Sequence, residues 1–351
     1  MTLPKTSDQL EAKDRAAILK MVRIVYVERS PGPFKSIEKV FREIAKHLPE
    51  RFVFEFQQLP YSWRVYDSFR NLLFFRRREA DIYHITGHAH FIALRLPPQR
   101  TVLSIMDVRF VVLNRGIKRW VLKKLYLDLP LSRMKYVTAI SAKVKDEIVE
   151  LTGCDPGKIK VLDIPLLSHF NSDLQHPFEA DNPTVLQIGT MENKNVVRLA
   201  AALRGICCKL VVVGELSAEQ LDALDENKIE FENYVDISDE KIRELYERAD
   251  LVTFCSTYEG FGLPIIEAQA MNKPLVTSDI SPLKDVAGDC ACLVDPFSIE
   301  SIRAGIVGLI ESADQRRAVV EAGQRNAVRF SPASVSAQYA SLYDEIQRSL
   351  R

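Results

Sequence analysis

The sequence predicts an α/β protein with two parallel-sheet domains that face each other across a cleft. The chain has 351 residues, which exceeds the usual size of one hydrophobic core. Short β-branched runs alternate with segments whose apolar residues recur at helical spacing, and this order is typical of βα units. Most of the predicted strands are apolar without interruption, so helices are expected to cover both faces of each sheet.

The first domain is predicted over residues 21–170, after a polar leader at residues 1–20. It opens with a strand, a helix whose apolar residues run from Ile37 to Leu48, and a second strand, which together form a βαβ unit. Its strands are predicted at residues 22–27, 52–56, 82–85, 101–105, 136–140 and 160–162.

The second domain is predicted over residues 184–334, after a linker at 171–183 that is rich in polar residues and prolines. An apolar-periodic stretch over 335–351 follows Phe330-Ser331-Pro332 and predicts a helix that extends beyond this domain. The strands of the second domain are predicted at residues 184–188, 209–213, 229–231, 251–254, 274–277 and 291–294.

Composition excludes several classes of protein. Lys+Arg and Asp+Glu are equal at 47 each, so no overall field would draw the protein to nucleic acid. None of the six cysteines lies in a metal-ligand spacing. Cys290 and Cys292 could form half of a metal site, but packing on one face of a strand is the favoured interpretation. No apolar run is long enough for a signal core or a membrane span, so a reduced cytoplasmic setting is expected.

The most informative segment is residues 256–267, where a glycine turn joins an apolar strand to a helix. Gly260 and Gly262 allow a ligand to approach the backbone closely, and the N–H groups at a helix start attract phosphate. Glu259 and Glu267 lie on either side of the glycines, and carboxylates accept hydrogen bonds from sugar hydroxyls. The alternative is an ordinary glycine loop with one capping glutamate.

This segment resembles the Glu-x7-Glu motif of the retaining glycosyltransferases of family 4, with Glu259 and Glu267 as the two glutamates. Residues 188–195 resemble that family's glycine-rich turn with its phosphate-binding lysine. Residues 234–240 resemble its segment near the nucleotide base. The similarity is specific over 184–300 and weaker in the first domain.

The resemblance implies the GT-B fold, in which two Rossmann-like domains hold the acceptor on the first domain and the donor nucleotide on the second. The helix at 335–351 would then return to the first domain. Lys194 is assigned to the donor phosphates, Glu267 to the ribose hydroxyls and Glu259 to the sugar. The other donor-binding residues carried over by position are Gly32 in a first-domain glycine loop, Gly189, Thr190, Val235 near the base, and Gly260, Phe261, Gly262 and Leu263 around the sugar.

Two positions depart from the family's pattern. Many relatives carry an arginine where Thr190 stands, so the usual pair of cations at the diphosphate is reduced to Lys194. Relatives also commonly have a His-Asp pair where this chain has Met106 and an aspartate. His88 and His90 are the candidate catalytic substitutes, and the alternative for either is a solvated loop histidine.

The predicted function is the transfer of a sugar, with retention, from a nucleoside-diphosphate sugar to a saccharide or lipid-linked acceptor in polysaccharide or glycoconjugate biosynthesis. No Asp-x-Asp sequence is present, so neither a metal ion nor another cofactor is expected. The alternative is a catalytically silent GT-B subunit that binds nucleotide or scaffolds a partner transferase.

Residues 115–136 suggest a further partner, an anionic membrane surface. In a helix there, Ile117, Val121 and Leu125 would share one face, with basic residues about 200° away. Such a helix could rest on the inner membrane face and meet a lipid-linked acceptor. The alternative is an ordinary domain helix with a buried apolar side. The basic residues concerned are Arg115, Arg119 and Lys123.

Overall fold

A computed structural model describes residues 21–30, 36–62, 65–170 and 177–351. The chain forms two six-stranded parallel sheets, each covered by helices, as the sequence predicts. The predicted leader at 1–20, Gly32 and linker residues 171–176 lie outside the described residues.

The first sheet has the strand order β2-β1-β3-β4-β5-β6. Its central strands are buried on both faces, which agrees with their continuous apolar sequence. The order changes direction between β1 and β3, whose carboxyl ends therefore border a crevice. The strands are β1 Val22–Glu28, β2 Phe52–Gln58, β3 Ile82–Ile85, β4 Thr101–Ile105, β5 Tyr136–Ala139 and β6 Ile159–Val161.

The second sheet has the strand order β12-β11-β10-β7-β8-β9. The chain runs outward from β7 in one direction and from β10 in the other, so the loops after these two adjacent strands diverge. In doubly wound sheets, ligands bind at this point. The strands are β7 Thr184–Ile188, β8 Lys209–Val213, β9 Glu230–Tyr234, β10 Leu251–Phe254, β11 Leu275–Ser278 and β12 Cys292–Val294.

Helices connect the strands, and several begin at a serine that caps the free N–H groups. Ser141, Ser217 and Ser331 each accept a hydrogen bond from the backbone N–H three residues later. None of the described helices is long and apolar enough to cross a bilayer. The α-helices are Ser36–Lys46, Val65–Phe74, Arg109–Val112, Gly116–Lys123, Leu129–Arg133, Ala142–Thr152, Val196–Leu203, Ala218–Glu226, Asp239–Arg248, Leu263–Ala270, Leu283–Ala287, Ile299–Glu311, Ala313–Ala327 and Pro332–Ser349.

The final helix, Pro332–Ser349, returns to the first domain, as the resemblance implied. The Tyr343 hydroxyl lies 3.0 Å from the Tyr26 hydroxyl and 2.6 Å from Nδ1 of His84. Nε2 of His84 in turn contacts the Ser104 hydroxyl at 2.7 Å. Burial lowers the pKa of His84 to about 3, so its ring is neutral. A buried polar network thus fastens the final helix to the first sheet.

The single apolar stripe predicted for residues 115–136 does not form. Ile117 is 82% exposed, whereas Leu125 is only 7% exposed. The two residues lie on different helical segments, because a π-helical turn at Lys124–Asp128 follows the helix Gly116–Lys123 and precedes Leu129–Arg133. A π turn holds more residues than an α turn, so it rotates the following side chains into the domain.

Candidate active site

Two loops meet at the carboxyl ends of β7 and β10. The Thr257 N–H donates to the Asn193 carbonyl at 2.8 Å and ties them together. In the first loop, Gly189 has φ +89°, and a Cβ there would lie 2.9 Å from Cε of Lys194. Glycine is therefore required so that the lysine stem can cross the turn and bring its ammonium to the second loop.

Lys194 and Glu259, which the sequence assigned to different parts of a donor, are in direct contact. The Lys194 ammonium donates to Oε1 of Glu259 at 2.7 Å, and the Asn193 amide donates to the same oxygen at 3.1 Å. Both charged side chains are largely buried, at 17% and 15% exposure. A phosphate oxygen that enters this site would share the lysine with a carboxylate already in place.

The glycine turn lies against the first domain. A Cβ on Gly260 would come within 2.9 Å of the Met106 carbonyl, so only glycine allows this approach. The Phe261 ring is buried edge-on against Phe330, with centroids 5.7 Å apart, which leaves its backbone for a ligand. The helix Leu263–Ala270 begins at Gly262 with no side-chain cap, so its first N–H groups remain available to an anion.

Glu267 lies behind this helix start and is almost fully buried. The Tyr246 hydroxyl donates to its Oε2 at 2.8 Å. Burial raises the pKa of Glu267 to about 7, although the Tyr246 hydrogen bond and the nearby Lys194 charge act in the opposite direction. The carboxyl group therefore changes its charge near neutral pH.

Across the cleft, the first domain contributes a histidine and an aspartate from neighbouring strand ends. Nε2 of His88, after β3, lies 3.6 Å from Oδ2 of Asp107, after β4. Burial opposes the ionisation of Asp107, but its contacts with His88 and the Arg109 backbone outweigh burial and lower its pKa. His90 is buried, with Nδ1 3.0 Å from the Tyr126 carbonyl, and burial lowers its pKa to about 3.

Of the remaining predicted residues, Thr190 and Val235 belong to the second domain. Thr190 is half-buried and its carbonyl accepts a hydrogen bond from the Gln220 side chain at 2.7 Å. Val235 follows the edge strand β9 and is 46% exposed, so it lies at the periphery of the site. Gly32 is outside the described residues.

The side chains that join the two domains here were not predicted from the sequence. The Arg109 guanidinium donates to Oδ1 of Asn193 at 2.9 Å, and the Ser141 hydroxyl donates to the Gly260 carbonyl at 2.7 Å. The Tyr258 hydroxyl donates to Oε2 of Glu147 at 3.0 Å. One available signal was the position of Arg109 two residues after Asp107, because side chains just beyond parallel strands gather at the ligand edge of a sheet.

The described part of the chain contains no group of three or more histidine, cysteine or acidic side chains arranged to hold a metal ion. Lys194 brings a positive side-chain charge to the two loops, and the helix start adds backbone N–H groups. These groups can stabilise an anion at the crevice between β7 and β10.

Part of this chain is similar in sequence to known glycosyltransferases. Residues 170–326 match the family model for glycosyl transferases group 1. The MMP alpha-(1->4)-mannosyltransferase of Mycolicibacterium hassiacum is 36% identical over 113 residues, 31% of this chain and 28% of that protein. The O-antigen chain mannosyltransferase RfbU of Salmonella typhimurium is 27% identical over 222 residues, 60% of this chain and 61% of that protein. The chain thus spans less than two thirds of either curated relative.

The similarity in fold covers more of this chain than the similarity in sequence does. The crystal structure of HepE from Anabaena in complex with UDP and glucose superposes with a TM-score of 0.71 at 16% sequence identity. The match covers 92% of this chain and 100% of that one. The arrangement of two facing Rossmann-like domains, the GT-B fold, is therefore common to both proteins.

Proposed function

Because residues 170–326 match the family model for glycosyl transferases group 1, we propose that the protein moves a sugar from a nucleoside-diphosphate sugar to a saccharide or lipid-linked acceptor. The transfer retains the anomeric configuration and serves polysaccharide or glycoconjugate biosynthesis. The observation that carries this proposal is the convergence of Lys194, Glu259 and the uncapped start of the helix Leu263–Ala270. The mannosyltransferase relatives make a hexose the favoured donor sugar.

In this reaction the bond between the anomeric carbon and a diphosphate oxygen breaks, and its electron pair leaves with the diphosphate. An acceptor hydroxyl oxygen bonds to the same carbon, and its proton passes to the departing phosphate oxygen on the same face. Lys194 and the helix N–H groups stabilise the charge that grows on the diphosphate. Glu267 accepts hydrogen bonds from the ribose hydroxyls, Glu259 accepts them from the sugar hydroxyls, and Val235 lies near the base.

The first domain would hold the acceptor, with its reacting hydroxyl directed at the donor sugar. We assign the catalytic role beside the acceptor to His88 and not to His90, because His90 is buried and its Nδ1 contacts the Tyr126 carbonyl. The Asp107 carboxylate lies 3.6 Å from Nε2 of His88, from the neighbouring strand end. The pair is our candidate for the role of the His-Asp sequence, whose histidine position is occupied here by Met106.

The experiment that tests this function is a thermal-shift screen against UDP- and GDP-sugars, since a ligand that binds the folded state raises Tm. Donor hydrolysis without acceptor is then measured for the sugar nucleotide with the largest shift. Binding without turnover under any acceptor would instead support the silent-subunit alternative. Inversion at the anomeric carbon, measured by proton coupling in the product, would contradict a retaining enzyme.

We also propose that the reaction needs no divalent ion, because Lys194 and the helix start supply the positive charge at the diphosphate. Donor hydrolysis is expected to be unchanged by EDTA and by added manganese. Loss of turnover in EDTA that manganese restores would contradict this prediction.

We propose a peripheral contact with the anionic inner face of the cytoplasmic membrane. The surface concerned is made of exposed apolar and basic side chains around the helix Gly116–Lys123, here called the first-domain patch. Apolar side chains can enter the interface while basic ones pair with anionic lipids. Its members are Val112, Leu113, Arg115, Ile117, Lys118, Arg119 and Trp120.

Reversal of two charges in the patch, Lys118→Glu with Arg119→Glu, is expected to lower sedimentation with acidic liposomes at least tenfold. Each basic residue near such a surface contributes roughly 1 kcal/mol. The matched control reverses Lys241 and Arg243 on the second domain, which gives the same net charge away from the patch. Equal liposome binding by the two double variants would rule out the patch as the contact.

A further inference from the structure

The donor loops of the second domain carry little positive charge for a site that must stabilise a departing diphosphate. Across residues 189–195 and 256–263, Lys194 is the single cationic side chain. The usual second cation is replaced by Thr190, and the Lys194 ammonium is already paired with Glu259 at 2.7 Å. A second positive group at this position would therefore have a large effect on the reaction.

Arg109 of the first domain reaches the loop that carries Lys194 from the other side of the cleft. It begins the short helix Arg109–Val112 after β4, and its Nη1 donates to Oδ1 of Asn193 at 2.9 Å. The amide nitrogen of Asn193 donates to Oε1 of Glu259, which also accepts from Lys194. The Asn193 amide and the Glu259 carboxylate therefore connect Arg109 to Lys194.

The guanidinium of Arg109 keeps most of its hydrogen-bonding capacity. It lies 5.5 Å from the centroid of the Tyr258 ring, and no carboxylate of the described residues forms an ion pair with it. A guanidinium has five N–H donors in a fixed plane, suited to two oxygens of one phosphate. The other donors of Arg109 are thus available to an anion placed between the loops.

We propose that Arg109 supplies the second cation for the departing diphosphate, in place of the arginine that Thr190 replaces. The inference rests on the proposed function. As the anomeric bond breaks and its electron pair moves to the diphosphate oxygen, Arg109 and Lys194 stabilise the new charge from opposite domains. Because Arg109 belongs to the first domain, the full charge is assembled only while the domains are in contact.

The test measures donor hydrolysis, in which water takes the place of the acceptor, with the sugar nucleotide that gives the largest thermal shift. Arg109→Ala is expected to lower kcat by on the order of 10²–10³ with a smaller change in KM. Millimolar guanidinium chloride should restore part of the kcat of Arg109→Ala and none of that of Lys194→Ala. Adding Thr190→Arg to Arg109→Ala should raise kcat at least tenfold above that of Arg109→Ala alone. Arg243→Ala, a surface arginine paired with Glu247, is the control.

A kcat of Arg109→Ala within about threefold of wild type, with Lys194→Ala impaired, would overturn this inference and leave the proposed function intact. A large loss with a lowered Tm and no guanidinium rescue would also overturn it, because Arg109 would then only hold the domains together. A wild-type protein that binds and hydrolyses no sugar nucleotide would instead reject the proposed function on which the inference rests.

Discussion

Replacement of Lys194 by alanine is expected to lower kcat for sugar transfer by about 10²–10³, with a smaller change in the donor KM. In the proposed mechanism, the charge that Lys194 stabilises grows as the diphosphate leaves, so its loss should affect the transition state more than the bound donor. The substitution also leaves Glu259 with Asn193 as its remaining donor at Oε1. The measurement is steady-state kinetics on the purified variant, with circular dichroism to check the fold.

The matched control for this variant is Lys209→Ala. Lys209 also forms an ion pair, with Glu232 at 2.5 Å, but it lies at the amino end of β8, away from the crevice. Its loss should leave kcat unchanged. A Lys194→Ala enzyme with wild-type kcat and a raised KM alone would mean that the lysine binds the donor without stabilising the departing group.

Replacement of Glu267 by alanine is expected to raise the donor KM by roughly ten- to a hundredfold, while kcat falls less. Hydrogen bonds to a ribose are similar in the ground and transition states, and one bond to a charged group contributes roughly 1.5–3 kcal/mol. Because the substitution also leaves the buried Tyr246 hydroxyl without its partner, Glu267→Gln is measured as a second variant.

Glu267 should also make donor binding depend on pH. Burial raises its pKa to about 7, so the carboxyl is mostly protonated at pH 6 and mostly ionised at pH 8. The ionised form accepts two hydroxyl hydrogen bonds, so the donor KM should fall as the pH rises through this range, by up to about tenfold. Glu267→Gln cannot titrate and should lose this dependence. A wild-type KM that rises with pH would contradict the assignment.

The sequence predicts the fold well where strands are continuously apolar. The strands at 101–105, 184–188, 209–213 and 251–254 have the predicted bounds, because burial on both faces leaves a clear pattern. Edge strand β9 was placed at 229–231 but spans Glu230–Tyr234, since its exposed positions carry polar residues that interrupt the apolar run. The π turn at Lys124–Asp128 leaves no comparable signal, because it depends on how its helix packs.

Within the candidate site, the glycine turn of residues 256–267 could be predicted because it depends on local turn chemistry. The glycines and the two glutamates of 256–267 are close in the chain, and their loop follows one strand. Arg109 and Asn193 could not be paired in this way, since they lie 84 residues apart and meet only after both domains have folded. The contact between Tyr246 and Glu267 likewise depends on the packing of two helices, which spacing alone does not specify.

The network that joins Tyr343 to Tyr26 constrains the order in which the two domains can complete their folding during synthesis. These two residues are 317 positions apart, and the whole second domain is synthesised between them. The second domain can therefore fold while the first still lacks its closing helix, although N-terminal domains usually fold first during synthesis. Until the helix Pro332–Ser349 emerges, His84 and Tyr26 have no Tyr343 to contact. We therefore expect premature termination within Pro332–Ser349 to damage the N-terminal half of the protein first.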